Sequence, residues 1–177
     1  MRATEMKEKN TFDSSHWHDD QHHYAAVGQL VTIYTQVELT IKSILFNLLN
    51  MPEIEFNILL EFGRIKSSDT PTIIRNLVAS RELANEVRKQ NLIDALKNFE
   101  KLSQSRNQLV HWLWIGGGTE PTLLNLKVKA RQASSTMRKG VTLAEIRGLS
   151  NELLGINAVL CSYLSGAACP QTLMYQD

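Results

Sequence analysis

The segment from Arg106 to His111 combines three side chains whose types and spacing suit chemistry on a phosphodiester. The Arg106 guanidinium can fork onto two phosphate oxygens and stabilise the added negative charge of a transition state. His111, the only histidine outside the N-terminal region, can take a proton from a ribose 2′-hydroxyl or give one to a 5′-oxygen leaving group. Asn107 can orient that imidazole. Because this chemistry needs a 2′-hydroxyl and no metal or other cofactor, the segment predicts metal-independent cleavage of RNA.

The helical spacing of these residues determines how they can act together. Asn107 and His111 are separated by about 40° around a helix axis and share one face, one turn apart. Arg106 lies about 140° from His111, so only its long side chain, or unwinding of the helix near Trp112, would bring both groups to one substrate. The sequence places no second titratable acid beside His111. Two copies of the motif facing each other would supply one, which predicts a homodimer with a twofold interface.

The composition is that of one domain without a strong global charge. The chain has 177 residues, 43% of them hydrophobic, and a net charge of +1. A chain of this length can bury a core, and its near-neutral balance requires any RNA contact to come from a local patch. Cys161 and Cys169 are too few for a disulfide framework and are expected to be free thiols. The apolar runs are too short to cross a bilayer and no signal pattern is seen, so we expect no membrane partner and a cytoplasmic protein.

Apolar residues recur at steps of three and four along most of the chain, which predicts helices. Caps, prolines and glycines place their ends, and Thr142 with Glu145 forms a capping box at the start of the last helix. We expect helices at about 20–50, 53–62, 70–79, 81–112 and 142–164.

A strand is predicted between the last two helices. From Leu124 to Arg131 apolar and polar residues alternate strictly, and this strand is expected to pair with Trp112 to Ile115, giving a β-hairpin at about 112–131. The fold class is therefore all-α, an up-and-down bundle with two long helices and a small hairpin inserted before the last helix. Residues 1–19 are expected to be a flexible leader, 20–165 the single domain and 166–177 a tail.

Glu38 interrupts the apolar seam of the first long helix. A buried carboxylate is costly unless it is paired, and Arg106 is the predicted partner. Tyr34 lies one turn before Glu38 on the same face, where it can stack on a base or simply fill the core. Glu38 and Tyr34 are thus candidate site residues alongside Arg106.

The motif resembles that of the HEPN domain family, whose hallmark is an Arg, usually followed by a polar residue, with a His four to six residues after the Arg near the end of a long helix. Arg106, Asn107 and His111 match this pattern, and the helical plan agrees over most of residues 20–165. The resemblance implies a compact helical bundle that dimerises to bring two motifs into a shared cleft. Many such domains are metal-independent ribonucleases of toxin–antitoxin and other defence systems, and others are inactive binding modules. Glu38 loosely matches the acidic residue that the family often carries on an earlier helix, and the hairpin departs from the minimal bundle.

Alternatives remain for each of these interpretations. Arg106 and Glu38 can be a structural ion pair and His111 a core histidine beside Trp112 and Trp114, in a non-catalytic interaction or nucleotide-binding module. A chain that buries its long helices against an antitoxin-type partner would instead show a broad exposed apolar stripe.

Two further groups of residues could bind ligands. Lys127, Lys129 and Arg131 can track phosphates as a substrate-binding patch, or merely solvate a strand and protect a sheet edge. The N-terminal histidines are spaced like metal ligands, but no further ligand group accompanies them elsewhere, and we expect affinity for immobilised nickel and no physiological metal site. These histidines are His16, His18, His22 and His23.

Overall fold

The computed structural model describes most of the chain as helices. The described residues are 17–63, 65–81, 85–111, 113–115, 122–124 and 138–166. They form an all-α fold to which three very short strands are added. None of the described helices combines the length and the apolar character needed to cross a membrane.

Helix α1, Trp17–Leu49, supplies the largest part of the core. The helix begins three residues earlier than the predicted start at about residue 20. His23, near this end of the helix, is buried against Trp114. The helix ends where Asn50 adopts a positive φ of 49°, two residues before Pro52.

Helices α2, Glu53–Phe62, and α3, Thr70–Ala79, have the predicted bounds. Gly63 follows α2, and its N–H donates to the Leu59 carbonyl. Pro71 lies in the first turn of α3, where its missing N–H leaves no helical hydrogen bond unmade. Gly63 and Pro71 are both visible in the sequence, which is why the end of α2 and the start of α3 were predictable.

Helix α4, Glu86–His111, carries the motif at its C-terminal end. Its start is later than the predicted residue 81. Asn85 accounts for this, because its side-chain oxygen accepts a hydrogen bond from the Arg88 N–H at 2.9 Å and caps the helix there. The buried face of α4 passes through Leu109, whereas the next residue, Val110, is 37% exposed.

Three short strands lie between the last two helices. Strands β1, Leu113–Ile115, β2, Thr122–Leu124, and β3, Arg138–Gly140, form an antiparallel sheet in that order. The first strand of the predicted hairpin coincides with β1, but its partner β2 shares only Leu124 with the strand predicted from Leu124 to Arg131. The alternating segment 125–131 lies outside the described residues, and β3 was not predicted.

Helix α5, Leu143–Ser165, packs along α1 and α4 and completes the bundle. It opens with the predicted capping box, in which the Thr142 side chain accepts from the Glu145 N–H while the Glu145 carboxylate accepts from the Thr142 N–H. Gly166 ends it with a φ of 72°, a conformation that glycine adopts at little cost. Fully buried side chains from these helices fix the position of α4, and hence of the motif; they include Leu30, Val37, Ile44, Leu45, Leu96, Leu153 and Leu160.

Candidate functional site

Arg106 lies on the face of α4 that meets α1. Its guanidinium carbon is 4.6 Å from the centroid of the Tyr34 ring, an attractive cation–π contact. Its Nη1 donates to the Asn107 side-chain oxygen at 3.0 Å, and the residue as a whole is half-buried. The side chain is therefore held by a ring beneath it and an amide beside it. Asn107 itself is exposed, and this contact shows it orienting the guanidinium; no hydrogen bond between Asn107 and His111 is seen within the described residues.

Tyr34 is the centre of this cluster. The ring is buried and stacks on Phe99 with centroids 4.9 Å apart, and the phenol oxygen lies 2.9 Å from the Ser103 hydroxyl oxygen. Because the Ser103 hydroxyl donates to the Phe99 carbonyl at 2.8 Å, the Tyr34 O–H is the donor in the bond between the two hydroxyls. Phe99, Ser103 and Arg106 follow one another at steps of four and three along α4, so three consecutive turns of this helix contact one tyrosine. The core-filling role considered for Tyr34 is thus observed.

Glu38 does not form the predicted ion pair with Arg106 among the described residues. The reason is its neighbour: Val37 is fully buried and occupies the core position, which leaves Glu38 half-buried at the edge of the seam. A carboxylate in that position keeps contact with solvent and needs no buried partner. Its charge still acts on the cluster, because it raises the pKa of the nearby Tyr34 phenol.

Burial is the main reason why the pKa of Tyr34 is raised above its ordinary value of 10.0. The Glu38 carboxylate also raises this pKa and the Arg106 guanidinium lowers it, and the net direction is upward. The phenol is therefore a neutral donor at physiological pH and is no candidate for a base.

This raised pKa predicts how stability depends on alkaline pH. The folded chain holds the phenol proton more tightly than the unfolded chain, so the contribution is fully present below the unfolded pKa and is lost as pH rises through the folded one. Near pH 8, wild type should be more stable than Tyr34→Phe by about 0.5–1.5 kcal/mol, the contribution of one hydrogen bond. Urea unfolding at a series of pH values should show this advantage shrinking above about pH 10. Two curves that stay parallel to about pH 11 would contradict the assignment.

His111 is the last residue of α4 and is exposed. The alternative that His111 is a core histidine is wrong, because its side chain is exposed. Trp114, which was expected beside it, packs against other residues. Trp114 donates from its indole nitrogen to the Leu109 carbonyl at 2.8 Å, and its ring lies 6.4 Å from that of His23 and 6.1 Å from that of Tyr24. Trp112 lies outside the described side chains.

The remaining predicted ligands are only partly covered by the structure. Lys127, Lys129 and Arg131 lie outside the described residues, as do His16, Cys169 and the side chain of His18. Of the other N-terminal histidines, His22 is exposed and His23 is buried. No group of three or more metal-binding side chains converges in the part of the chain that the structure describes.

Sequence reasoning missed two residues that shape this region. Ser103 was not among the candidate residues, yet it accepts the Tyr34 hydrogen bond. Its signal was its position four residues from Phe99 on a buried face, where a serine must find partners. His23 was assigned only to the N-terminal histidine group, and its packing against Trp114 has no sequence signal because the two residues are far apart in the chain.

Comparisons with known proteins give no relative: no family model, curated protein or solved structure matches this chain. The function is therefore argued from the arrangement itself. A fixed guanidinium and a solvent-facing imidazole lie at one end of α4, and neither is sealed in the core. Chemically, this pair can bind an anionic group and exchange a proton with it.

Proposed function

We propose that this protein is a HEPN-like, metal-independent endoribonuclease that acts as a homodimer. The observation that carries the proposal is the hydrogen bonding of Arg106. Its guanidinium has five N–H donors, and among the described residues Asn107 is the one acceptor it reaches. A half-buried, permanently charged fork with donors to spare is suited to a phosphate.

Each residue has a role in this mechanism. Arg106 binds the scissile phosphate and stabilises the charge that builds on its oxygens as the 2′-oxygen attacks. His111 removes the 2′-hydroxyl proton or protonates the leaving 5′-oxygen. Tyr34 and Asn107 are positioning residues, because the ring and the amide hold the guanidinium in place. Glu38 adds a negative charge near this cluster, which favours the cation there.

The angular separation of Arg106 and His111 supports the dimer. The two side chains leave α4 about 140° apart, and Arg106 is held towards α1 by Tyr34. A phosphate bound to one Arg106 is reached more directly by an imidazole from a second copy whose α4 end faces the first. A twofold axis beside the C-terminal end of α4 would create two such pairings and supply both a base and an acid.

The proposal also covers the setting in which the enzyme would act. A ribonuclease of this kind needs access to cellular RNA, so we place it in the cytoplasm. A defence or toxin role, with an antitoxin-type protein restraining the cleft, follows from the HEPN resemblance.

Product chemistry tests the proposal directly. A labelled mixed RNA incubated with the protein in EDTA should be cut to fragments that end in 2′,3′-cyclic phosphate, because the 2′-oxygen is the nucleophile. The same sequence with 2′-deoxy sugars should not be cut. Binding of the RNA without any cleavage would instead favour the non-catalytic nucleotide-binding alternative, and cleavage of the deoxy strand would exclude the mechanism.

A further inference from the structure

Helix α2 is apolar on two opposite sides. Its inner side is covered: Phe56 is buried, and its ring meets that of Phe46 with centroids 5.1 Å apart. On its outer side Ile54 is 75% exposed, Ile58 52% and Phe62 76%. We call these three residues the α2 outer stripe.

The α2 outer stripe is continuous along the helix. Its members are four residues apart, so each is displaced by about 40° from the last, and the centre of the stripe lies about 160° from Phe56. A surface helix normally has one apolar face and one polar face. An apolar stripe of large side chains directed away from the core indicates a second surface to cover it.

The charges that α2 itself carries beside the stripe are all negative. On a helical projection Glu61 and Glu55 flank the stripe, one on either side, and Glu53 lies in the first turn; the helix carries no Lys or Arg. A second copy docking antiparallel around Ile58 would place Glu55 on the same side of the seam as Glu55 of the other chain, and Glu61 on the same side as the other Glu61, which is repulsive. An anionic membrane surface would be repelled in the same way.

We propose that the α2 outer stripe docks an amphipathic helix of another protein, whose apolar face is flanked by Lys or Arg. Apolar anchors at i, i+4 and i+8 on α2 match the spacing that such a helix presents in return. Basic residues on either side of its anchors pair with Glu55 and Glu61, which gives the site its charge preference. The surface is separate from Arg106 and His111, so it is a docking site for a partner and no part of the proposed catalytic cleft.

Two synthetic peptides of the same helical design test this inference. Each is a labelled peptide of about 18 residues with leucines at i, i+4 spacing, flanked by Lys in one and by Glu in the other. With the full chain, fluorescence anisotropy should show that the Lys-flanked peptide binds at least about tenfold more tightly. Ile58→Glu should abolish that binding, whereas Val87→Glu, the matched change at a 72% exposed valine of α4, should leave it unchanged. The double variant Glu55→Lys, Glu61→Lys should reverse the preference.

Three results would overturn the inference. The first is no binding of the Lys-flanked peptide up to about 1 mM. The second is binding that Ile58→Glu or the charge reversal leaves unchanged. The third is a dimer in light scattering that Ile58→Glu disperses, since a second copy would then occupy the stripe. Ile58 and Val87 are both solvent-exposed, so neither substitution is expected to prevent folding, and circular dichroism checks this.

Discussion

Replacing Arg106 with Lys is expected to lower the rate of RNA cleavage by about 10²–10³-fold, the usual loss when one transition-state donor is removed. Lysine keeps the positive charge, but it cannot fork onto two phosphate oxygens or present a planar group to the Tyr34 ring. The fold should be retained, because the side chain is half-buried and forms no ion pair within the described residues. Single-turnover cleavage in EDTA measures the rate, and a melting curve checks folding.

Arg75→Lys is the matched control for this experiment. Arg75 is also half-buried, but its guanidinium pairs with Glu100 at 2.5 Å, on α3 and α4 away from the motif. Its replacement should change the melting temperature and leave cleavage within about twofold of wild type. If Arg106→Lys cleaves as fast as Arg75→Lys, a role for Arg106 that depends on its guanidinium is excluded.

Leu45→Ala is expected to lower the free energy of unfolding by about 2–5 kcal/mol. Leu45 is completely buried in the core of α1, so the substitution loses the transfer energy of the side chain and leaves a cavity. Leu39→Ala, on the same helix, removes the same atoms from a residue that is 57% exposed and should cost less than about 1 kcal/mol.

Urea unfolding of the two variants compares these costs, and an unchanged slope with denaturant would show that both still unfold as wild type does. Equal losses at Leu45 and Leu39 would contradict the orientation of α1. That orientation determines which α1 residues face α4, so the result also bears on the position of Tyr34 beneath Arg106.

Local signals in the sequence were enough to find several helix ends. Gly63, Pro71 and the Thr142/Glu145 capping box each act on neighbouring backbone groups, so no distant contact is needed to interpret them. The start of α4 was misplaced although Asn85 is a good cap, because Arg81 opens a charged segment that is equally compatible with a first turn.

The packing of the site was harder to predict from sequence. Steps of three and of four from Tyr34 lead to Val37 and Glu38, and helical periodicity permits both. The same ambiguity separates Leu109 from Val110 after Arg106, and in each case the structure buries the residue at the step of three. Because Val37 and not Glu38 takes the core position, Glu38 is a solvent-contacting neighbour of Tyr34 and not the buried partner of Arg106 that was predicted.

The contact between Arg106 and Tyr34 depends on how α4 docks against α1. Both residues were recognised as candidates, but their meeting is set by the packing of Phe99 and the hydrogen bonds of Ser103. The stacking of Phe99 on Tyr34 and the hydrogen bond between Tyr34 and Ser103 both join residues that are far apart in sequence. The side-chain types of the site were thus predictable, and its geometry was not.

The most direct test of the proposed function is cleavage of a labelled mixed RNA in EDTA by wild type and by His111→Ala, with a melting curve for each. His22→Ala serves as control, because His22 is likewise an exposed histidine on a long helix. We predict that His111→Ala loses about 10²–10⁴-fold in rate, whereas His22→Ala keeps it. Both variants should melt within about 2 °C of wild type. Cleavage by His111→Ala at the wild-type rate, or a wild type that cuts nothing while His111→Ala melts several degrees lower, would contradict the proposal.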